Sequence, residues 1–183
     1  MEYFDICDEN GLPTGRIVSR AQAHRDAILH RTSHVWIVRE KDGRVQVLLQ
    51  KRSQNKDAFP GMYDTSSAGH IPAGEEPLPS ALRELGEELG IEAGPEELTY
   101  IGSIRIRFDA VFHGKPFRDN EYSRVYLYRE PVDIDALHLQ EIEVESVRWF
   151  DLEDLAARAE KETDVFCMDP ESLRLLCTYL NVN

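Results

Sequence analysis

The sequence predicts an α/β fold of the α+β type, in which a mixed β-sheet lies between helices. Three observations support this prediction. Short segments with alternating apolar and polar residues recur along the 183 residues and predict strands. A Gly/Pro-rich loop at residues 69–76 leads into an amphipathic helix. A second amphipathic helix follows Asp169-Pro170, with Leu173, Leu176 and Leu180 along one stripe.

Strand and helix signals alternate along the chain. Ser19 is expected to cap a short helix that runs to about Leu29, and Asp151 to cap a helix that runs to Ala159. Lys41-Asp42-Gly43 predicts a hairpin turn, whereas residues 113–121 are expected to form a loop. The predicted strands cover residues 3–7, 14–18, 34–38, 45–50, 63–68, 98–108, 122–129 and 144–150.

Length and charge favour a single acidic domain. Residues 1–183 suit one domain, with an N-terminal hairpin and helix at 1–30, the loop-helix stretch at 69–91 and C-terminal helices at 151–183. A net charge of −13 argues against binding to a nucleic-acid polymer or an anionic membrane. Cys7, Cys167 and Cys177 are scattered and odd in number, which predicts reduced thiols and a cytoplasmic location. We expect a monomer or a homodimer.

The helix predicted after the loop has two chemically different faces. Pro77 and Pro79 fit its first turn, and Gly90 fits the left-handed position just past its last residue. At about 100° per residue, four leucines fall on one side and three glutamates on the other. These residues are Leu78, Leu82, Leu85 and Leu89, and Glu84, Glu87 and Glu88.

The glutamate face has two possible explanations. Like charges at i, i+3 and i, i+4 destabilise a helix, and the C-terminal half of a helix disfavours anions. A divalent cation would turn this cost into a site, because Mg²⁺ binds carboxylate oxygens together with water and substrate phosphates. The alternative is a solvated acidic face on an acidic protein.

The spacing of the whole stretch resembles the signature of the Nudix hydrolases, G-x5-E-x7-R-E-U-x-E-E-x-G-U, where U is a bulky apolar residue. The resemblance implies an α/β/α sandwich and hydrolysis of a diphosphate bond in a nucleoside diphosphate-type or related small molecule. It also implies Mg²⁺, or Mn²⁺, as the cofactor and an Arg83–Glu75 pair that orients the loop. The residues that fill the signature are Gly69, Glu75, Arg83, Glu84, Leu85, Glu87, Glu88, Gly90 and Ile91.

A finer resemblance points to the isopentenyl-diphosphate isomerase branch of this superfamily. In that branch a cysteine precedes the Gly-His pair, and here the position holds Ala68. The isomerases also carry a degenerate signature, whereas this one is complete. We therefore expect hydrolase chemistry on an isomerase-like frame, with a diphosphate isomerase or a non-catalytic diphosphate-binding module as alternatives. The segments that carry the resemblance are 10–15, Arg20 with His24, 51–53, Lys56, 59–61, Gly69-His70, 119–121 and 148–152.

The resemblance implies roles for individual residues. Glu84, Glu87 and Glu88, with the Gly69 carbonyl, are the expected metal ligands. Glu88 is the principal ligand and Glu84 the favoured base.

Four further residues are expected around them. Glu121, from the predicted loop, is a second candidate base or an outer ligand, and its alternative is a solvated acid. Arg20, Arg52 and Lys56 are expected to bind the substrate phosphate.

Trp149 either stacks on the substrate or belongs to the core. The sequence leaves open whether His24, His30 or His70 bind metal or serve as surface and capping residues.

Overall fold

The computed structural model describes residues 2–182 of the chain. Four helices are α1 (Arg20–Asp26), α2 (Pro77–Leu89), α3 (Leu152–Arg158) and α4 (Pro170–Leu180), and short 3-10 turns cover Pro95–Glu97 and Ile134–Ala136. None of the helices in the described residues has the length and hydropathy needed to cross a membrane. The nine described strands are β1 (Tyr3–Cys7), β2 (Pro13–Ser19), β3 (His30–Lys41), β4 (Arg44–Arg52), β5 (Tyr63–Asp64), β6 (Ser67–His70), β7 (Leu98–Phe112), β8 (Lys115–Tyr128) and β9 (Val144–Asp151).

Strand β3 is the centre of the sheet. It pairs antiparallel with β4 and β6 and parallel with β8 along residues 30–37. Strands β5 and β9 pair with β4, β7 pairs with β8, and the β1–β2 hairpin joins through Ile6 opposite His30. The sheet is therefore mixed, as the sequence predicted.

Helices cover both faces of this sheet. Because successive side chains of a strand point to opposite faces, β3 supplies Ile37 to the core beneath α2 and Trp36 to the core beneath α3 and α4. Of the four leucines in the predicted stripe of α2, Leu85 and Leu89 are buried, and Leu78 and Leu82 pack half-buried against the same core. The Trp36 indole N–H donates to the Ser172 hydroxyl of α4, at 3.1 Å. This layering confirms the α/β/α sandwich.

The N-terminal hairpin and α1 form a third, smaller apolar core around Phe4, Val18 and Ala23. Ser19 caps α1, as predicted, by accepting from the backbone N–H of Gln22. The helix ends at Asp26 rather than near Leu29, because Ala27 adopts the left-handed conformation (φ 52°) that terminates it.

Two other sequence predictions differ from the structure. The segment 113–121 is not a loop: the chain turns at His113-Gly114 and continues as β8, so Glu121 lies in a strand. Asp119 and Glu121 sit at the inward positions of β8, where the sequence signal expects apolar residues. The predicted strand 63–68 is interrupted because the Ser66 hydroxyl accepts from the N–H of Ile37 and donates to the carbonyl of Leu48.

A buried ion pair fastens the N-terminal hairpin to the sheet. Arg31 Nη2 donates to Asp5 Oδ2 at 2.8 Å and to the carbonyl of Glu75 at 2.9 Å. The same Asp5 oxygen accepts from the N–H of Gly74 at 2.9 Å. Both side chains are buried. The pair therefore holds the loop before α2 against β1 and β3.

We expect Asp5→Ala to lower the free energy of unfolding by about 3–5 kcal/mol, since removal of one partner leaves a buried, unpaired charge. Chemical denaturation of the wild type and the variant measures the difference. Asp26→Ala is the matched control, because it breaks the exposed Arg25–Asp26 pair and should change stability little. An equal loss in both variants would contradict a structural role for the buried pair.

Candidate active site

The end of β6 and the C-terminal half of α2 form the floor of the site. Ser33 and Thr32 of β3 pair with Gly69 and His70 of β6, which fixes where the strand ends. After a six-residue loop, α2 runs from Pro77 to Leu89, and Gly90 follows it in the left-handed conformation (φ 71°). The helix bounds predicted from the sequence are confirmed.

Glu84 lies directly against Gly69. A Cβ atom at position 69 would fall 2.1 Å from Glu84 Cδ, so only glycine allows this approach. The strand end and the helix therefore meet through a carboxylate and a main-chain segment. Burial raises the pKa of Glu84, although the guanidinium of Arg83 opposes the shift.

Glu88 is the most deeply buried of the three helix glutamates. Its Oε2 accepts from Gln50 Nε2 and from the N–H of Ala68, both at 3.3 Å. Burial raises the pKa of Glu88 to about 8, and the negative charge of Glu84 acts in the same direction. Leu85 and Leu89 pack into the core on either side of it and thereby hold the carboxylate below the surface.

Arg83 pairs with the glutamates around it. Its guanidinium lies 2.8 Å from Glu84, 2.9 Å from Glu87 and 3.9 Å from Glu75. A further Nη2 contact reaches the His70 carbonyl at 3.4 Å. The expected Arg83–Glu75 contact is thus present, but it is the longest of the three ion pairs.

Oxygen donors therefore dominate the C-terminal half of α2. Glu84, Glu87 and Glu88 share one helix face, and Glu84 touches Gly69. Two of these carboxylates are largely buried, which is costly for an anion unless a cation compensates it. A set of carboxylate and carbonyl oxygens suits a hard divalent ion such as Mg²⁺ or Mn²⁺. The donor set fits the cofactor that the sequence predicted.

A second group of potential ligands lies beside the first. His24, His30, His70 and Glu121 each direct one ligand atom to a common region, where all four atoms lie within 4.8 Å of one another. Asp119 borders the group, since its Oδ1 is 3.7 Å from His24 Nε2 and 4.0 Å from His30 Nε2. We refer to these five residues as the histidine cluster.

Hydrogen bonds orient the cluster. The His30 Nδ1–H donates to the Ile28 carbonyl at 2.8 Å, so the Nε2 atom carries the free lone pair of the ring. This Nε2 lies 3.9 Å from Glu121 Oε1. That Nε2 is buried and has no hydrogen-bond partner within residues 2–182. Thr32 Oγ1 donates to Glu121 Oε2 at 3.1 Å. His24 Nε2 and His70 Nε2 approach to 3.3 Å.

Burial sets the charge state of these groups. It lowers the pKa of His24 to about 3 and that of His30 to about 4, and it lowers the pKa of His70 as well. Burial also raises the pKa of Asp119 to about 6 and raises that of Glu121. Neutral imidazole is the form that binds metal ions. The cluster can therefore hold a cation that imidazole and carboxylate both ligate.

Sequence reasoning left the cluster open and did not include Asp119. The three histidines come from α1, β3 and β6, and only the fold brings them together. The one sequence signal for the cluster was the Asp119-Asn120-Glu121 segment, which was predicted to be a loop. In the structure this segment belongs to β8, and the alternation of the strand places both acids beside the imidazoles.

The predicted phosphate-binding cations differ in their surroundings. Arg20 Nη1 lies 2.9 Å from Glu2 and 3.4 Å from His70 Nδ1, at the edge of the histidine cluster. The Lys56 ammonium is in an ion pair with Glu143, in the segment before β9, and its positive charge opposes the effect of burial on the pKa of Glu88.

Two predicted substrate-binding residues contact other parts of the protein. Arg52 donates to Asp64 and to the Ala58 carbonyl, both at 3.0 Å, and so holds the loop that follows β4. The Trp149 ring lies 4.0 Å from the Arg39 guanidinium and packs into the core beneath α2.

Gly69→Ala is expected to displace the Glu84 carboxylate, because the new Cβ would occupy its position. A crystal structure of the variant tests this directly. Gly86→Ala is the matched control, since a Cβ there meets nothing closer than 3.7 Å and alanine stabilises a helix interior by about 0.5–1 kcal/mol. An unmoved Glu84 in the first variant would contradict the described contact.

Comparison with known proteins agrees with this geometry. The NUDIX domain family matches residues 29–168. An uncharacterized Nudix hydrolase of Clostridium acetobutylicum is 37% identical over 89% of this chain and 76% of its own length. Nudix hydrolase 3 of Arabidopsis thaliana is 38% identical over 90% of this chain, but the match spans only 21% of that longer protein. The uncharacterized Nudix hydrolase YfcD of Escherichia coli is 30% identical over the whole chain and 88% of its own length.

Solved structures share the fold at lower sequence identity. DR0079 from Deinococcus radiodurans superposes with a TM-score of 0.70 at 18% identity, covering 97% of this chain and 99% of that one. A C. elegans Ap4A hydrolase in a binary complex gives a TM-score of 0.57 at 24% identity, covering 82% of this chain and 97% of that one. The signature, the fold and these relatives agree, and the chain belongs to the Nudix hydrolase family.

Proposed function

We propose that this protein hydrolyses a diphosphate bond in a nucleoside diphosphate-type or related small-molecule substrate, with Mg²⁺ as its cofactor. Membership of the Nudix hydrolase family indicates hydrolysis of phosphorus-containing anhydrides. The observation that carries the proposal is the contact of Glu84 with Gly69 beside the buried Glu88. This contact gathers oxygen donors at the C-terminal half of α2. It also buries carboxylates whose negative charge a divalent ion would compensate.

The proposed roles follow from the surroundings of each side chain. Glu88, fixed by Gln50 and the Ala68 N–H, is the principal metal ligand, with Glu84, Glu87 and the Gly69 carbonyl around it. A bound Mg²⁺ supplies positive charge that stabilises the phosphoryl oxygens.

Glu84, the more accessible of the two inner carboxylates, orients the attacking water and accepts its proton. Arg83 keeps Glu84 and Glu87 on the same side of the helix. Glu121 remains a proposed outer ligand or second base.

A bound phosphate group also needs cationic side chains that neutralise its charge. Arg20 stands beside His70, Lys56 is paired with Glu143, and burial and the positive charges of both cations lower the pKa of His70. We propose that both cationic side chains bind the terminal phosphate through charge-assisted hydrogen bonds. Arg52 is proposed to contribute by holding the Lys56 loop through its bond to the Ala58 carbonyl.

Phosphate release from a panel of nucleoside and isoprenoid diphosphates with Mg²⁺ tests this function. We expect Glu88→Gln to lower kcat at least about a hundredfold, because loss of the ligand removes several kcal/mol of transition-state stabilisation. Glu92→Gln alters an exposed glutamate just beyond α2 and should leave the rate unchanged. Release that is equal in wild type and Glu88→Gln would refute the assigned role.

The histidine cluster favours a second candidate function, the isomerisation of a diphosphate. Three imidazoles and two acids converge there, beside the segment that resembles the isomerases. Ala68, in place of the isomerase cysteine, weighs against this alternative. Isopentenyl diphosphate separates the candidates: an isomerase shifts its double bond without releasing phosphate, a hydrolase releases phosphate, and a binding module does neither.

We also propose that the histidine cluster binds a transition-metal ion in addition to Mg²⁺ at α2. Imidazole ligands favour ions such as Mn²⁺ or Zn²⁺ over Mg²⁺. Elemental analysis after dialysis against Mn²⁺ should show that His24→Ala loses about one equivalent relative to wild type. His138→Ala, a histidine elsewhere in the chain, should lose none. Equal metal content in all three proteins would exclude the cluster as a site.

A further inference from the structure

Two imidazoles of the histidine cluster are brought together across a short turn between α1 and β3. His24 belongs to the last turn of α1, and His30 is the first residue of β3. Fully extended, the chain between them would span about 20 Å. The two rings nevertheless meet edge to face, with their centroids 5.1 Å apart. The turn between them must therefore fold the chain back sharply.

Ala27 forms this turn. It adopts the left-handed conformation (φ 52°, ψ 42°) at the C-terminus of α1, and its N–H donates to the Ala23 carbonyl. The N–H of Ile28 donates to the same carbonyl at 3.0 Å. A residue with a Cβ is strained in this conformation, which glycine adopts freely. Such a residue persists there only when the surrounding structure holds it in place.

Asn120 of β8 holds the Ala27 turn from outside the helix. Its Nδ2 donates to the Ala27 carbonyl at 2.8 Å. The side chain is 9% exposed, so this hydrogen bond lies away from bulk solvent, where a polar contact is strengthened. The strained turn is therefore tied directly to the sheet.

The other end of the Asn120 amide is fixed as well. Its Oδ1 accepts from Arg105 Nε at 3.1 Å and from Arg105 Nη2 at 2.9 Å. Arg105 lies on the neighbouring strand β7 and also pairs with Glu9 of the N-terminal hairpin. Because one partner donates and the other accepts, only one orientation of the amide satisfies both. An aspartate at position 120 would have no hydrogen to donate to the Ala27 carbonyl.

Asn120 also stands between the two acids of the histidine cluster. It separates Asp119 from Glu121 along β8, and its backbone N–H donates to Asp119 Oδ1 at 3.0 Å. Side chains alternate along a strand, so the two acids lie on the imidazole face and the amide lies on the opposite face. Asn120 is therefore linked to the acids through the main chain and to the α1–β3 turn through its side chain.

We infer that Asn120 is a positioning residue of the histidine cluster. Its amide holds the left-handed Ala27 turn against β8 and thereby sets the separation of His24 from His30 and from the two acids. The inference rests on the proposed function, because this spacing serves the metal ion proposed for the cluster. Asn120 supplies no ligand to that ion and acts only through the turn.

Crystal structures of the metal-free wild type and of Asn120→Ala test the geometry. We expect the Ala27 turn to relax in the variant and the His24 ring to move away from His30, which stays in β3. Tyr122→Phe is the matched control, because it removes a polar group from the same face of β8 and leaves the Asn120–Ala27 bond intact. Unchanged positions of both imidazoles in Asn120→Ala would overturn the inference.

Titration with Co²⁺ in excess Mg²⁺, followed by the visible absorption of imidazole-bound Co²⁺, measures the consequence for metal binding. The excess Mg²⁺ occupies the carboxylates of α2, whereas imidazole ligands favour the transition metal. Asn120→Ala should weaken Co²⁺ binding about tenfold or more, as is typical when a group that orients a metal ligand is lost. Tyr122→Phe should leave the affinity unchanged.

A second substitution tests whether the effect passes through the turn. Glycine adopts the left-handed conformation without strain, so Ala27→Gly in the Asn120→Ala background should recover about fivefold of the lost Co²⁺ affinity. A general weakening of β8 would not respond to this change. If glycine recovers none of the affinity, Asn120 does not act through the turn and the inference is wrong.

The two readouts keep this inference separate from the proposed metal binding. If the wild type binds no Co²⁺ while His24 moves in Asn120→Ala, the metal-binding proposal fails and the positioning role is supported. If the wild type and Asn120→Ala bind Co²⁺ equally tightly, the positioning role fails and metal binding is supported. Thermal melting of each variant establishes that a lower affinity does not come from a lost fold.

Discussion

The contact between Glu84 on α2 and Gly69 at the end of β6 is the constraint on which the rest of the site depends. It exists because the leucine face of α2 packs on the sheet and turns the opposite face toward the strand end. The same packing buries Glu88 among polar groups of β4 and β6. The apolar core thus fixes the acidic site, and the loop between them is held by the buried Arg31–Asp5 pair.

The segment before residue 29, which we call the N-terminal extension, contributes side chains to the candidate site as well as stability to the fold. The NUDIX domain match begins at residue 29, yet His24, Phe4 and Arg20 all lie before it. Phe4 stacks on the rings of both His30 and His70, at 5.0 and 4.6 Å between centroids. The histidine cluster is therefore built jointly by the extension and the domain, and burial by the extension keeps its imidazoles neutral.

The sequence predicted the parts of the fold that depend on local signals. The bounds of α2, the strand β1 and the hairpin turn at Lys41-Asp42-Gly43 follow from proline, glycine and alternation, and the structure confirms them. The course of residues 113–121 was predicted wrongly, because Asp119 and Glu121 point inward and hide the alternation of β8. The histidine cluster depends on contacts between distant segments, which no spacing in one sequence reveals.

We propose that the acidic face of α2 holds a divalent ion against the end of β6. Anomalous diffraction from crystals soaked in Mn²⁺ tests it most directly. We expect an anomalous peak within coordination distance of the Glu84 and Glu88 carboxylates and the Gly69 carbonyl. A map with peaks at the histidine cluster and none at α2 would contradict it.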